Sequence, residues 1–340
     1  MKFKKISFSV LATVLSLALF VFYGASSPAH AANDILIRLA FENSLREPVG
    51  QALQRWKDLL DEKNGGVKLE LFPDSQLGSK SEIIDSMLLG ERVITLADGA
   101  FYADYGVPDF GIVFGPFLFN NWEECWTLTK SDWYAEQCAL LEKKGLKIIS
   151  SNWAYGIRHT LTVSPVRTVD DLKGMKIRVP GNQIQAVGFD TLGAAATGMP
   201  LGEVYQALQT GAIDGAENPL STLHGRKLHE VAKYLILNGH VMNFTTWVMS
   251  TDVFNSLTPE QQRLLVDTCY EAGVYNNQLA AEADGAFLKL MTDEGVTVVH
   301  PSEEVLNGFR EKAREFYTKG SLFGWSDGLY EKVTQAMGRK

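Results

Sequence analysis

Residues 258–295 read "TPEQQRLLVDTCYEAGVYNNQLAAEADGAFLKLMTDEG" and predict one long helix. Thr258 and Gln261 have the spacing of a capping box, and Pro259 takes the first helical position. No proline follows until after Gly295, so about 35 residues of helix would extend roughly 50 Å at 1.5 Å per residue. Because that length exceeds the diameter of one small domain, the stretch predicts a two-lobed protein whose chain crosses between lobes more than once, the arrangement that hinge closure around a ligand requires.

Strands and helices alternate in the chain before this helix. The apolar patterns predict strands at 35–41, 67–72, 93–97 and 146–152, with helices from Pro48 to about Asp61 and over 81–89. After Gly156 the pattern resumes with strands at 158–164 and 175–179, helices near 183–192 and 202–210, and a short strand near Ile213. This alternation predicts an α/β fold with a largely parallel sheet.

The stretch "DLKGMKIRVPG" at 171–181 predicts a short strand that Pro180 ends. Apolar residues alternate with Lys176 and Arg178, so the two cations share one face. From the pattern alone, Arg178 faces either water or an anionic ligand.

The composition is that of a soluble globular protein, with 46% hydrophobic and 21% charged residues among 340. The formal net charge is −8, and no run of Lys or Arg interrupts the acidic background. Such a chain is a poor nucleic-acid binder, so we expect no nucleic-acid partner. Any anion must be bound by a few placed cations.

Residues 1–31 have the pattern of a secretory signal peptide. Three lysines precede the 18-residue apolar run at 6–23, and Ala29 and Ala31 occupy the −3 and −1 positions of a cleavage site before Ala32. The alternative is an uncleaved anchor, because 18 apolar residues are just long enough to span a bilayer. Cleavage would remove the three lysines, change the net charge from −8 to −11 and leave a soluble, exported protein, which we expect in the periplasm.

The chain has three cysteines, so complete pairing is impossible. Cys125 and Cys138 either form a disulfide, which an oxidising compartment permits, or remain buried thiols. The sequence has no zinc spacing: His224 and His229 are five residues apart, which does not place them on one helical face, and we expect no metal there. Common nucleotide, hydrolase and metalloprotease motifs are also missing. We therefore expect a protein that binds without catalysis and without a cofactor.

Four stretches together resemble one protein family. They are "FPDSQLGSKSEIIDSMLLG" (72–90), "YGIRHTLT" (155–162), "DLKGMKIRVP" (171–180) and "MPLGEVYQALQTGAIDGAENPL" (199–220). In order and spacing they are similar to the DctP-type periplasmic solute-binding subunit of tripartite ATP-independent periplasmic (TRAP) transporters. The resemblance implies two α/β lobes that close over a small organic acid anion and deliver it unchanged to the small and large membrane subunits.

With this architecture we predict the lobe boundaries. Lobe I comprises 32–155 with a return segment at about 244–283. Lobe II comprises 156–243 with the C-terminal segment at about 284–340.

The resemblance also implies ligand-binding residues. Arg178 occupies the place of the arginine that holds the ligand carboxylate, and the guanidinium fork suits the two oxygens. Arg158 matches a second arginine, which in the sialic-acid binders also reaches the carboxylate. The alternative is that Arg158 forms a structural ion pair. Asn218 matches an asparagine that hydrogen-bonds the same end of the ligand. Glu217 is expected to be a packing or hinge residue.

Departures from the family's sialic-acid binders concern the ligand. Gly181 and Leu201 replace an asparagine and an aromatic residue, which argues against sialic acid itself. Asp98 replaces a glutamate that receives sugar hydroxyls; it would repel a second ligand carboxylate and accept hydroxyl hydrogen bonds.

We therefore expect a hydroxylated monocarboxylate, such as a uronate or another sugar acid. A C4-dicarboxylate is the alternative if Lys80 or Arg46 neutralises a second charge, and Lys80 is therefore also a candidate contact. Glu42 and Asn43 are candidate contacts at the ligand's far end. A receptor-coupled ligand sensor of the same fold is the other alternative function.

Overall fold

The computed structural model describes residues 34–339, so the predicted signal peptide lies outside the described residues. Its nine strands are β1 (Ile35–Ala40), β2 (Val67–Phe72), β3 (Val93–Ala97), β4 (Leu146–Thr162), β5 (Lys176–Val179), β6 (Ala195–Gly198), β7 (Gly215–Pro219), β8 (Tyr234–Ser250) and β9 (Thr297–Val299). None of the helices within 34–339 has the length and apolar character needed to cross a membrane.

The α-helices are α1 (Pro48–Lys63), α2 (Lys80–Leu88), α3 (Gly99–Asp104), α4 (Trp122–Leu128), α5 (Asp132–Lys143), α6 (Gln183–Thr191), α7 (Val204–Gln209), α8 (Leu220–Gly225), α9 (Thr251–Asn255), α10 (Pro259–Asp293), α11 (Glu303–Tyr317), α12 (Gly320–Phe323) and α13 (Leu329–Ala336). Four 3₁₀ segments cover Pro108–Phe114, Val169–Leu172, Leu201–Glu203 and Leu228–Glu230.

One continuous sheet runs through the described chain in the order β2-β1-β3-β8-β4-β7-β5-β6, and β9 pairs with β8. The outer strands pair in parallel, as the alternation of strands and helices predicts. The prediction of a largely parallel sheet is incomplete, because β8 is antiparallel to β3 and β4 is antiparallel to both β7 and β8. These antiparallel pairs form the middle of the sheet.

Strands β4 and β8 are 17 residues each and pair with one another along their length. The two strands predicted at 146–152 and 158–164 are therefore one strand. Gly156 does not end it: the residue has φ +136 and lies at a shift in the register with β8. A Cβ at this position would lie 2.7 Å from the Pro219 Cβ on β7, so glycine allows the two strands to approach.

The hydrophobic core is divided between the two ends of the sheet. At one end, β1 to β3 pack with α1 around Trp56, which contacts Trp153 and Trp247 at ring-centroid distances of 6.5 and 6.0 Å. At the other end, a separate cluster includes Leu161, Leu208, Leu223 and Leu235. The chain is a two-lobed α/β protein, as predicted.

Helix α10 contacts both of these cores. Its capping box of Thr258 and Gln261 is present, and the helix is 35 residues long, as the sequence predicts. In its first half, the Trp153 Nε1 donates to the carbonyl of Cys269 at 3.1 Å. In its last turn, Met291 packs in the cluster at the other end of the sheet.

The predicted residue boundaries of the lobes stay a prediction. One feature bears on the C-terminal boundary: in α13, Leu329 and Val333 pack with Cys125 and Leu128, which belong to predicted lobe I. Cys125 and Cys138 are unpaired thiols in the structure.

Candidate functional site

A small cavity lies where the two ends of the sheet meet. Six of the seven predicted ligand-binding residues line it: Arg178, Arg158, Asn218, Asp98, Glu42 and Lys80. The sequence therefore brings together residues that are up to 176 positions apart.

Arg178 lies on β5, between β6 and β7, and is only 2% exposed. Its Nε and Nη2 both donate to the carbonyl of Met199, at 2.9 and 2.7 Å. Within residues 34–339 no carboxylate lies within ion-pair distance of its guanidinium. Burial lowers the pKa of Arg178 to about 10, against the opposing charges of Glu42 and Glu217. The site thus holds a buried positive charge without a direct counter-ion.

Arg158 lies on β4 and is bound differently. Its Nε and Nη2 donate to the two carboxylate oxygens of Glu217, at 2.5 and 2.6 Å, and its Nη1 donates to the Asn243 Oδ1 at 3.2 Å. Both members of the pair are buried. The guanidinium fork that faces Glu217 is thus already occupied, which is the structural ion pair that the sequence left as the alternative.

Glu217 is more than a packing residue, because it neutralises Arg158 in the cavity wall. The His240 Nε2 also lies 3.1 Å from its Oε2. Burial raises the pKa of Glu217, but Arg158 and His240 outweigh burial and lower it to about 2. The carboxylate is therefore charged at neutral pH.

Two amide side chains in the cavity wall have unpartnered polar atoms. The Asn218 Nδ2 and the Gln185 Oε1 are buried and have no hydrogen-bond partner within the described residues. Since buried polar groups are normally paired, these atoms supply one donor and one acceptor for a polar ligand.

Lys80 and Glu42 form a second ion pair at the cavity, with the Nζ 3.3 Å from the Oε2. The Lys80 Nζ also lies 4.5 Å from the centroid of the Phe101 ring. Burial raises the pKa of Glu42, but Lys80 and Arg178 outweigh it and lower the pKa. Lys80 is thus already neutralised by a protein carboxylate.

Asp98 is the N-cap of α3 and accepts from the Ala100 amide at 3.0 Å. Burial raises its pKa, against the opposing effect of the Lys80 and Arg158 charges. Its position at the end of β3 places a carboxyl group on the side of the cavity that the first lobe supplies.

Asn43 is the one predicted contact that does not line the cavity. Its Nδ2 donates to the Glu47 Oε2 at 2.6 Å, to the Tyr155 hydroxyl at 2.9 Å and to the Thr222 Oγ1 at 3.2 Å. This buried network lies beside the cavity and joins the turn after β1 to α8. Burial raises the pKa of Glu47 to about 7, although the hydrogen bonds from Ser44, Asn43 and Thr222 oppose the shift.

Sequence reasoning missed four polar residues that line the cavity: Tyr155, Gln185, Asn243 and Thr245. Tyr155 begins the stretch "YGIRHTLT", three residues before Arg158, and a period-2 argument cannot find it across the irregularity at Gly156. Gln185 lies in the first turn of α6, the helix that follows the strand of Arg178. A polar residue so soon after that strand could have been predicted to lie near Arg178. Asn243 and Thr245 carry no motif and lie in the cavity because β8 crosses it.

A larger groove of about 1560 Å³ contains three arginines, Arg310, Arg314 and Arg339. Two of them are paired at the surface, Arg310 with Glu303 and Arg339 with Glu124. The smaller cavity has the buried counter-ion-free guanidinium and the unpartnered amides, so it is the candidate ligand site.

The spacing argument about His224 and His229 is wrong on one point. It assumed one continuous helix, but α8 ends at Gly225 and Lys227 has a left-handed φ of 58°. The turn brings the two rings together, stacked with centroids 4.5 Å apart.

A family model described as bacterial extracellular solute-binding protein, family 7, matches residues 39–321. The chain is 33% identical over 77% of its length to the 2,3-diketo-L-gulonate-binding periplasmic protein of Escherichia coli, of which it covers 80%. It is 29% identical over 85% of its length to the C4-dicarboxylate-binding periplasmic protein DctP of Rhodobacter capsulatus, of which it covers 85%.

Solved structures give the same comparison. A TRAP periplasmic solute-binding protein from Ochrobacterium anthropi with bound L-fuconate has a TM-score of 0.86 and 38% identity, over 89% of this chain and 99% of that one. A TRAP periplasmic solute-binding protein from Actinobacillus succinogenes with bound L-galactonate has a TM-score of 0.85 and 35% identity, and the match covers 89% of this chain and 99% of that one.

Proposed function

We propose, from the premise that this chain belongs to the bacterial extracellular solute-binding proteins of family 7, that it captures a hydroxylated monocarboxylate sugar acid for a TRAP transporter. The resemblance in the sequence is confirmed, and the class is one of transport proteins rather than enzymes. Its partners are a small organic acid and the TRAP membrane subunits. The sugar acid, the contacts below and export through residues 1–31 to the periplasm are parts of the proposal.

The observation that carries the proposal is the buried guanidinium of Arg178. A charge that is removed from water without a counter-ion is unfavourable, and an incoming carboxylate supplies the missing negative charge. Arg178 holds the acid group, and the Asn218 amide donates a further hydrogen bond to the same end. The Nε and Nη2 of Arg158 are bonded to Glu217 and are not available to the ligand. Arg158 instead fixes the position of Glu217 in the cavity wall and contributes positive electrostatic potential.

The remaining charges favour one carboxylate over two. Of the three cations that line the cavity, Arg158 is paired with Glu217 and Lys80 with Glu42, whereas Arg178 has no bonded carboxylate within the described residues. Lys80 is paired with Glu42 and is not free to neutralise a second ligand carboxylate. Asp98 and the Gln185 carbonyl oxygen instead accept hydrogen bonds from ligand hydroxyls. A polyhydroxylated monocarboxylate satisfies both ends of the cavity.

Similar proteins support this ligand class. The two solved structures above hold L-fuconate and L-galactonate, and the E. coli relative binds 2,3-diketo-L-gulonate. All three are acids of hydroxylated carbon chains. The match to the C4-dicarboxylate-binding relative is at lower identity.

Binding couples to closure because the ligand contacts both lobes. Arg178 and Asn218 belong to the second predicted lobe, whereas Asp98 belongs to the first. An acid that bridges them stabilises the closed state by its extra contacts there, which is a population shift.

The test is titration calorimetry of the purified chain with L-galactonate, L-fuconate, D-galacturonate and succinate. We expect saturable binding of at least one sugar acid and weaker binding of succinate. Tight binding of succinate alone would contradict our interpretation of Asp98 and Lys80.

A matched pair of variants tests the site. Arg178→Ala removes one partner of a buried charge pair, which typically costs about 2–5 kcal/mol, so affinity should fall at least about 30-fold. Lys176→Ala removes an exposed cation from the same strand and should bind as the unmodified protein does. Equal affinities of the two variants would show that Arg178 does not hold the acid. Recovery of the ligand unchanged after long incubation checks that no catalysis occurs.

A further inference from the structure

Two histidines and a glutamate converge outside the ligand cavity. The His224 Nε2 and the His229 Nε2 lie 3.1 and 2.6 Å from the same carboxylate oxygen of Glu294, its Oε2. The two imidazole rings are stacked, with their planes 9° apart. The ligand atoms of the three side chains all lie within 4.8 Å of one another. None of the three residues lines the cavity that holds Arg178.

The fold positions these side chains. His224 lies in α8, His229 lies in the 3₁₀ segment that follows, and Glu294 is the C-cap of α10. The Lys233 Nζ donates to the Glu294 carbonyl at 3.2 Å, and the Phe287 ring lies 5.4 Å from the His224 ring. His229 is 5% exposed, so its ring is fixed by packing. The fold thus holds the three side chains close together.

We propose that His224, His229 and Glu294 bind one divalent transition-metal ion, with Zn²⁺ the best match. Two imidazoles and one carboxylate are a set that Zn²⁺ binds with bonds of about 2.0–2.2 Å. Calcium and magnesium prefer sites built of oxygen ligands. Around a tetrahedral ion the ligand atoms would be ~3.3 Å apart. The three ligand atoms already lie within 4.8 Å of one another, and His224 and Glu294, which are 24% and 44% exposed, have room to adjust to this spacing.

The surroundings leave room for the rest of the coordination shell. Three protein ligands leave a fourth position for water in a tetrahedral site. An open pocket adjoins the cluster, and Arg46, Glu47 and Leu290 also line it. On binding an ion, each imidazole nitrogen and the carboxylate would form a bond to it. The ion joins the end of α10 to the turn after α8.

This proposal does not depend on the identity of the transported acid. It is tested with the metal alone, on the untagged chain dialysed against a chelating resin. Calorimetric titration with ZnCl₂ should show one saturable site, and Co²⁺ should give the visible absorption of a four-coordinate complex. Zinc should also raise the thermal unfolding midpoint, because it binds the folded state.

The variants separate the site from adventitious surface binding. His224→Gln and Glu294→Gln should each weaken Zn²⁺ binding at least 10-fold, and circular dichroism with urea unfolding in the absence of metal checks that both variants fold. His300→Ala, which removes an exposed histidine elsewhere, should bind zinc as the unmodified chain does. Zinc affinity that is unchanged in both His224→Gln and Glu294→Gln, or a titration of the unmodified chain without a saturable site, would overturn the proposal.

Discussion

Two arginines line the same cavity from the strands on either side of β7, yet their surroundings differ. Arg158 gives its Nε and Nη2 to the carboxylate of Glu217, whereas Arg178 gives the same two nitrogens to the carbonyl of Met199. Both are almost completely buried. Arg158 is thus satisfied by the protein, and Arg178 is oriented by the protein but not neutralised. We therefore expect the first to contribute to the stability of the fold, and we propose that the second holds the ligand.

We expect the largest effect on stability from a substitution that breaks the ion pair of Arg158 with Glu217. Arg158→Ala leaves the buried carboxylate of Glu217 without its main counter-ion, so the free energy of unfolding should fall by about 3–5 kcal/mol. Urea unfolding measures the change. The double variant Arg158→Met with Glu217→Leu replaces both charges by apolar groups and should lose less than the single variant. A single variant within 0.5 kcal/mol of the unmodified protein would show that the pair contributes no stability.

Glu47 is a buried carboxylate that, unlike Glu217, has no cation bonded to it within the described part of the chain. Burial raises the pKa of Glu47 from 4.5 to about 7, so the folded state holds its proton more tightly than the unfolded state. Its stabilising contribution is complete below pH 4.5 and is lost as the pH rises to about 7, by about 3 kcal/mol in total.

The measurement is the unfolding free energy of the unmodified chain and of Glu47→Gln between pH 4 and 8. The difference between the two proteins should change by that amount, with the variant gaining relative stability at high pH. A constant difference would place the pKa of Glu47 near its ordinary value. Glu217 has the opposite sign, because its pKa is lowered to about 2 and its contribution is lost on acidification below pH 4.5.

We expect a smaller effect on ligand affinity from a substitution of Asp98, at the end of the cavity where we propose that the ligand hydroxyls bind. Asp98→Asn replaces a carboxylate acceptor by a neutral one, and hydrogen bonds to charged groups are about 1 kcal/mol stronger. We expect about 5-fold weaker binding of L-galactonate by calorimetry. Asparagine caps a helix as well as aspartate does, so the unfolding free energy should hold steady. An increase in affinity would mean that Asp98 repels the ligand.

The smallest effect is on the stability of the unliganded protein at Arg178. Arg178→Met removes a charge that no carboxylate bonds, so the unfolding free energy without ligand should stay within about 0.5 kcal/mol or rise. The same urea series measures it. A loss as large as that of Arg158→Ala would assign Arg178 to the fold rather than to the ligand.

Much of the local structure is predictable from the sequence. The strands at 67–72 and 93–97 have the predicted bounds, and α10 begins at its predicted cap. These elements depend on neighbouring residues, which a pattern records. The prediction places two strands on either side of Gly156, where the apolar pattern restarts, whereas in the structure Gly156 lies within strand β4 and permits the close approach of Pro219.

The features that could not be predicted from the sequence are contacts between residues that are distant along the chain. The pair of Arg158 with Glu217 joins residues 59 positions apart, and β7 must lie beside β4 before it forms. The cluster of His224, His229 and Glu294 likewise requires a turn and the end of a distant helix. Six of the seven candidate residues nevertheless line one cavity, because motif resemblance carries information about tertiary position that periodicity lacks.

The two long strands have a consequence for attempts to divide the molecule. Because β4 and β8 each contribute residues to both ends of the sheet, a single cut cannot yield two fragments with complete sheets. Either half produced alone would expose unpaired strand edges, which promote aggregation. A reporter or binding module is therefore better inserted at a surface turn of the intact chain than assembled from separately expressed halves.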